Sequence, residues 1–163
     1  MAYDAFLKLD GITGESQKDK HKGEIDIMSF SWGVANPTSV GTGTGLTSGK
    51  SQHADFSIVK SVDKSSPTLF QKCCGGQHFP KATVALQKTT GVGGDAYLTF
   101  DFSKLHVTHI SWSGTGTANH DTPTETVSFA YEEVKISYKP QNADGSLGAQ
   151  VMAGWNVGTN SKV

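Results

Sequence analysis

No apolar run in this chain is long enough to span a bilayer. The opening, MAYDAFLKLDGITGES, carries Asp4 and Lys8 inside its apolar stretch, so it lacks the uninterrupted apolar core of a secretory signal. The expectation is a protein made in the cytoplasm that does not leave by the signal-peptide route and does not insert into a membrane. Cysteine is scarce: the only two, Cys73 and Cys74, are neighbours. Adjacent cysteines cannot form an ordinary disulfide without straining the peptide between them. Neither CxxC nor a zinc spacing occurs. Reduced thiols at a helix end are expected, one buried and one partly exposed. An excess of one charge is also missing. Acidic and basic residues are mixed along the chain and the net charge is −1, which leaves no footprint for nucleic acid.

Catalytic patterns are equally thin. No G-x-S-x-G nucleophile elbow occurs, and the nearest stretch, GTGTG, places Thr between its glycines. Glu132 and Glu133 are adjacent, so on a strand they face opposite ways and make a poor acid/base pair. His106 and His109 are three apart, and on a regular strand they too face opposite ways. The expectation is no catalytic set, no metal and no cofactor. One stretch, GTGTGLTSGKS, ends like a phosphate-binding loop. That motif needs a glycine five residues before Gly49, where this chain has Thr44. It also needs a helix after the lysine, whereas Ala54, Phe56 and Ile58 alternate with Asp55, Ser57 and Val59 in the period of a strand. The stretch reads as a flexible Gly/Thr/Ser loop.

What is present is glycine and alternation. Glycine supplies 19 of 163 residues, above the usual ~7%. The length fits one domain, residues 1–163, able to bury roughly 70% of its unfolded surface. Strand patterns recur at Tyr3–Leu9, Glu24–Val34, Ala54–Val62, around Ala82–Leu86, and through AYLTFDFSK and LHVTHISWSG with a bend or bulge near Lys104. They return in TETVSFAYEEVKISYKP, ended by Pro140, and in VMAGWNV. Short strands at this spacing point to a β-sandwich or barrel. One helix interrupts them in DKSSPTLFQKCCGGQHFP. Ser66 is the expected N-cap and Pro67 the first helical residue. Leu69, Phe70 and Cys73 form the apolar stripe, Lys72 suits the C-terminus, and Gly75-Gly76 supply a left-handed exit. Trp32, Trp112 and Trp155 are expected to pack in the core or an interface. A sugar-binding platform, as in a lectin-like β-sandwich, is the alternative use of the three.

Five segments in order carry a family resemblance over essentially the whole chain: the opening MAYDAFLKLDGITGES; EIDIMSFSWG; the strand–helix–strand block with its K-x-x-D-K-x-S-P-x-L core; VSFAYEEVKISYKPQNADGS; and GWNV. The chain resembles Hcp, the haemolysin-coregulated proteins that form the inner tube of the type VI secretion system. The resemblance implies a mainly β, two-sheet β-barrel with one short flanking α-helix, similar to phage tail-tube proteins. It implies a structural and not an enzymatic role. Such subunits form homohexameric rings that stack head to tail inside a contractile sheath, carry a spike protein at the tip, and are expelled by sheath contraction, so the protein is secreted without a signal peptide. Small effector proteins ride in the lumen and are protected there.

Two sets of site residues follow from that implication. The loop at about Asn36–Gln52 is expected to project to the neighbouring ring, with Val40, Thr42, Thr44, Leu46 and Lys50 as stacking candidates. In IDIMSFSWG, Ser29 and Ser31 share one face and Met28, Phe30 and Trp32 the other. The serine face is expected to line the lumen and touch effectors, and the apolar face to pack in the core.

Overall fold

A computed structural model describes residues 2–41, 45–89, 94–116, 118 and 122–163; the side chain of Leu46 is also outside the description. The chain forms β1 (Tyr3–Leu9), β2 (Ile25–Ile27), β3 (Ser29–Ser31), β4 (Val34–Ala35), β5 (Thr38–Gly41), β6 (Gly45–Ser48), β7 (Gln52–His53) and β8 (Phe56–Ser61). Then follow α1 (Ser66–Gly75), β9 (His78–Lys88), β10 (Ala96–Ser113), β11 (Thr124–Ala130), β12 (Glu133–Tyr138), β13 (Val151–Asn156) and β14 (Ser161–Lys162). The expected mainly β fold with one flanking helix is what the sequence adopts.

Alternation builds the core. Ala5, Leu7 and Leu9 of β1, Phe56 and Ile58 of β8, Val84 and Leu86 of β9, and Val127 and Phe129 of β11 all point inward and are buried. The ladder runs antiparallel from β1 to β9, β10, β11, β8 and β3. The circuit then returns through one chain segment. β2 pairs with β1, while β3, just after it, pairs with β8, and the Met28 N–H between them bonds Val59 O at 2.8 Å.

The second sheet is not separate from the first. β10 is 18 residues long and belongs to both. Its first half pairs with β12, which leads to β13 and β14; its second half pairs with β11. Between Leu98 and Val107 of β10, β12 and the end of β11 follow it in one register, interrupted at Tyr131–Glu132 opposite Leu105 and Lys104. Lys104 has φ 50, and its ammonium meets Glu132 at 2.7 Å across this corner. The bend expected near Lys104 is therefore present, inside one continuous strand.

Three local expectations change. Met28 is 61% exposed and does not join Phe30 and Trp32 against the core. Ile27 points in and so does Phe30, so two outward residues, Met28 and Ser29, lie between them where the chain switches partner strands. The helix cap is Ser65 rather than Ser66, and it makes no side-chain cap bond: its hydroxyl donates to Asp63 Oδ1, while that of Ser66 donates to Glu125 Oε1. Phe70 is half exposed beside Trp112, whereas Leu69 and Cys73, four apart, face the core. The left-handed exit expected at Gly75-Gly76 is Gly76, φ 64.

The connection from β1 to β2 covers the outer face of β1. His21 stacks on Phe6 with ring centres 4.2 Å apart. Gly14 lets this loop close: a Cβ there would collide with the Glu24 carbonyl and stand 2.7 Å from Ile25 N. Backbone atoms cannot yield as a side chain can. Gly14→Ala is expected to cost about 1–3 kcal/mol as overpacking, read as a fall in melting temperature of several degrees against the native chain.

Candidate functional site

β3 presents Ser29 and Ser31 outward, both exposed. The ladder extends them into rows. Ser31 lies opposite Ser57, and Ser57 opposite Ser128, with the Ser57 and Ser128 hydroxyls 2.7 Å apart. Ser29 leads through Val59 to Thr126 and Ser111. Ser61 leads to Thr124 and Ser113, whose hydroxyls are 3.2 Å apart. The outer face of β3, β8, β11 and the end of β10 is thus mostly small hydroxyls, with Val59 in the Ser29 row and the exposed His109 opposite Ser128. At its edge the Thr108 hydroxyl donates to Asp55 at 2.6 Å. Period two explains the field, because every inward Phe, Ile or Val on these strands places its sequence neighbours outside.

Beneath this field lies a buried ion pair. Lys60 and Glu125 are cross-strand partners on the inward face of β8 and β11, both essentially inaccessible to solvent. The Lys60 ammonium donates to Glu125 Oε1, to Asp63 Oδ1 at 2.9 Å, to Ser61 O at 3.0 Å and to Ser66 Oγ at 3.2 Å. Ser66 Oγ also donates to Glu125 Oε1 at 2.6 Å and accepts the Asp63 N–H at 3.0 Å. Glu125 Oε2 is buried with no partner among the described residues. Sequence reading missed this pair. The signal was there: Lys60 follows Phe56 and Ile58 at the inward spacing, and Glu125 precedes Val127 and Phe129 in the same way.

The Asn36–Gln52 segment is not an irregular loop. β4 pairs with β7 and β5 with β6, so it is a two-stranded ribbon leaving the main sheet. Thr38 faces Ser48, Ser39 faces Thr47 with hydroxyls 2.9 Å apart, and Val40 faces Leu46. β-formers on both sides of the glycines favour strands over coil. Val40 is 79% exposed and Lys50 is exposed. Thr42 and Thr44 lie outside the described residues.

Where the ribbon meets β12 and β13 there is a cleft of about 580 Å³, with Trp32, His53, Ile136 and Trp155 on its walls. Two of the three tryptophans therefore line one cleft, and Trp112 lies elsewhere against Phe70. Trp32 Nε1 donates to Tyr131 Oη at 2.6 Å. Burial raises the Tyr131 pKa, the Trp32 bond opposes that shift, and the Asp55 charge adds to it. Burial lowers the His53 pKa below its ordinary value.

The histidine expectation also changes. A register shift between Val107 and His109 inserts a residue, so His106 and His109 are both exposed. Even so, no three His, Cys, Asp or Glu side chains among the described residues are grouped to hold a metal.

Residues 6–138 match the family model described as type VI secretion system effector, Hcp. The chain belongs to the Hcp family. "Protein hcp1" of Pseudomonas aeruginosa is 36% identical over 161 residues, 98% of each chain. A solved structure titled as a type six secretion system protein superposes with a TM-score of 0.93 at 35% identity, covering 99% of this chain and all of that one. Hcp1 from Salmonella typhimurium superposes with a TM-score of 0.81 at 33% identity, both chains covered in full. Hcp is a family of structural, secreted tube proteins and not of enzymes.

Removing one partner of the buried pair leaves a charge without its mate. Glu125→Leu is expected to destabilise the fold by about 3–5 kcal/mol, and Lys60→Met/Glu125→Leu together to recover most of that loss. Urea denaturation midpoints of the three proteins check this.

Proposed function

We propose that this chain is the ring subunit of a type VI secretion inner tube. Six copies close into a ring, and rings stack head to tail through the β4–β7 ribbon, with Val40, Thr42, Thr44, Leu46 and Lys50 at the contact. The tube is expelled by the contractile sheath with a spike protein at its tip. The hydroxyl field around Ser29 and Ser31 faces the lumen and holds small effectors reversibly.

The observation that carries this reading is the ribbon. Among the described residues its strands pair only with each other, which leaves both outer edges open for pairing with another chain. A head-to-tail contact closes into a ring where its rotation closes and otherwise extends without limit, and a tube uses both kinds of contact. The hydroxyl field supports the lumen assignment: small hydroxyl side chains stay wet, so cargo is held by many weak contacts. A second reading, a ligand-binding module, draws on the cleft shared by Trp32 and Trp155.

Negative-stain microscopy with light scattering tests the first reading. Six-fold rings with an open centre are expected, and a stable monomer at micromolar concentration overturns it. Deleting residues 40–50 is expected to leave rings that no longer form tubes; unchanged tube yield removes the ribbon's role. Ser31→Tyr is expected to weaken retention of a luminal effector while rings stay intact.

A further inference from the structure

The register of β9 against β10 sets His78 directly opposite His106. Directly opposed residues on an antiparallel ladder share a face, with Cβ atoms about 4.5–5.5 Å apart. Phe79 and Leu105, the next pair in register, are buried at 2% and 1%, which fixes the backbone under the two rings and turns both rings outward. The ring centres stand 5.4 Å apart with a 42° tilt. Neither imidazole makes a hydrogen bond within the described residues, so all four ring nitrogens are available. We infer that His78 and His106 form a two-imidazole chelate for a borderline divalent transition metal such as Cu²⁺, Ni²⁺ or Zn²⁺.

Geometry and chemistry both favour this class of ligand. With metal–nitrogen bonds of about 2.0–2.1 Å, two imidazoles on one ion place their ring centres about 5 Å apart. The observed spacing therefore needs only small side-chain rotations. Imidazole suits copper, nickel and zinc, whereas calcium and magnesium require oxygen ligands. The carboxylate on the wall of the same cleft is committed: Glu132 is paired with Lys104 at 2.7 Å. That pairing also offsets the Lys104 charge, which alone would repel a cation. Water completes the coordination sphere, since among the described residues no third His, Cys, Asp or Glu joins the group. Holding both rings on rigid strands makes binding of the second nitrogen intramolecular, which is where a chelate gains over a single histidine.

Titration of the full chain with Cu²⁺ or Ni²⁺ by calorimetry tests the site, with His78→Ala, His106→Ala, His109→Ala and Cys74→Ser alongside. The native chain is expected to bind one ion. His78→Ala and His106→Ala are each expected to weaken that binding roughly tenfold or more, the chelate gain being lost. His109→Ala and Cys74→Ser are expected to bind as the native chain does. Circular dichroism and melting of each variant establish that its fold is retained. Absence of binding to the native chain overturns the assignment. So does native affinity in either His78→Ala or His106→Ala, or loss of binding in Cys74→Ser, which would make the exposed thiol the ligand.

Discussion

A buried lysine ammonium holds this molecule together at its most demanding point. Lys60 sits on an inward position of β8, where the spacing calls for an apolar side chain. A charge there is costly unless it is paired and fully hydrogen-bonded. Its acceptors come from three different places: Glu125 on β11, Ser61 at the end of β8 with Asp63 in the turn after it, and Ser66 at the start of α1. The ammonium therefore dictates where the turn goes, where the helix begins and which strand lies beside β8. The K-x-x-D-K-x-S-P-x-L block acquires a physical meaning. Lys60, Asp63 and Ser66 are the polar knot, Pro67 lies in the first helical turn, and Leu69 drives the helix onto the core, while Lys64 points to solvent.

A buried pair of this kind adds little to stability compared with apolar residues of the same volume. Its effect here is on alternatives. Sliding β8 by one residue against β11 would turn Lys60 to the surface and bring Ser61 and Ser57 into the core, because the side-chain period is two. It would also separate the ammonium from Glu125 and leave a buried carboxylate unmatched. Apolar strands rich in Val and Ile tolerate such slips more readily, since one branched side chain replaces another.

Much of the fold was legible because period two survives in most strands. The inward set falls at every second residue in β1 (Ala5, Leu7, Leu9), in β9 (Ala82, Val84, Leu86) and in β11 (Glu125, Val127, Phe129), and Pro67 with Gly75-Gly76 frames the helix. What failed did so wherever the chain breaks its own period. Met28 lies where one segment changes partner, and Thr108 lies in a bulge. Parity counted across either point gives the wrong face, which is how Met28 was assigned to the core and His106 and His109 to opposite sides. The ribbon was hidden by composition: Gly, Thr and Ser read as coil, yet Thr38, Val40, Leu46 and Thr47 are sufficient to pair. The Lys60–Glu125 pair needed the register of two strands more than sixty residues apart. Parity marks each charge as misplaced, and only the ladder shows that they answer each other. His78 against His106 is hidden for the same reason, since no local spacing relates the first residue of β9 to the middle of β10.

The buried pair and the outer face are two sides of one ladder. The register that sets Lys60 opposite Glu125 also sets Ser57 opposite Ser128, Val59 opposite Thr126 and Ser61 opposite Thr124. β3 then takes its own place from β8, which carries Ser29 and Ser31 into the same rows. A surface of small hydroxyls has weak means of specifying its own alignment, because any serine can face any other. The demand for precision is met on the hidden face, where a charge tolerates no substitute partner. The face proposed to meet effectors is consequently free to be smooth and chemically bland, and the register of the field that Ser29 and Ser31 open is enforced from beneath.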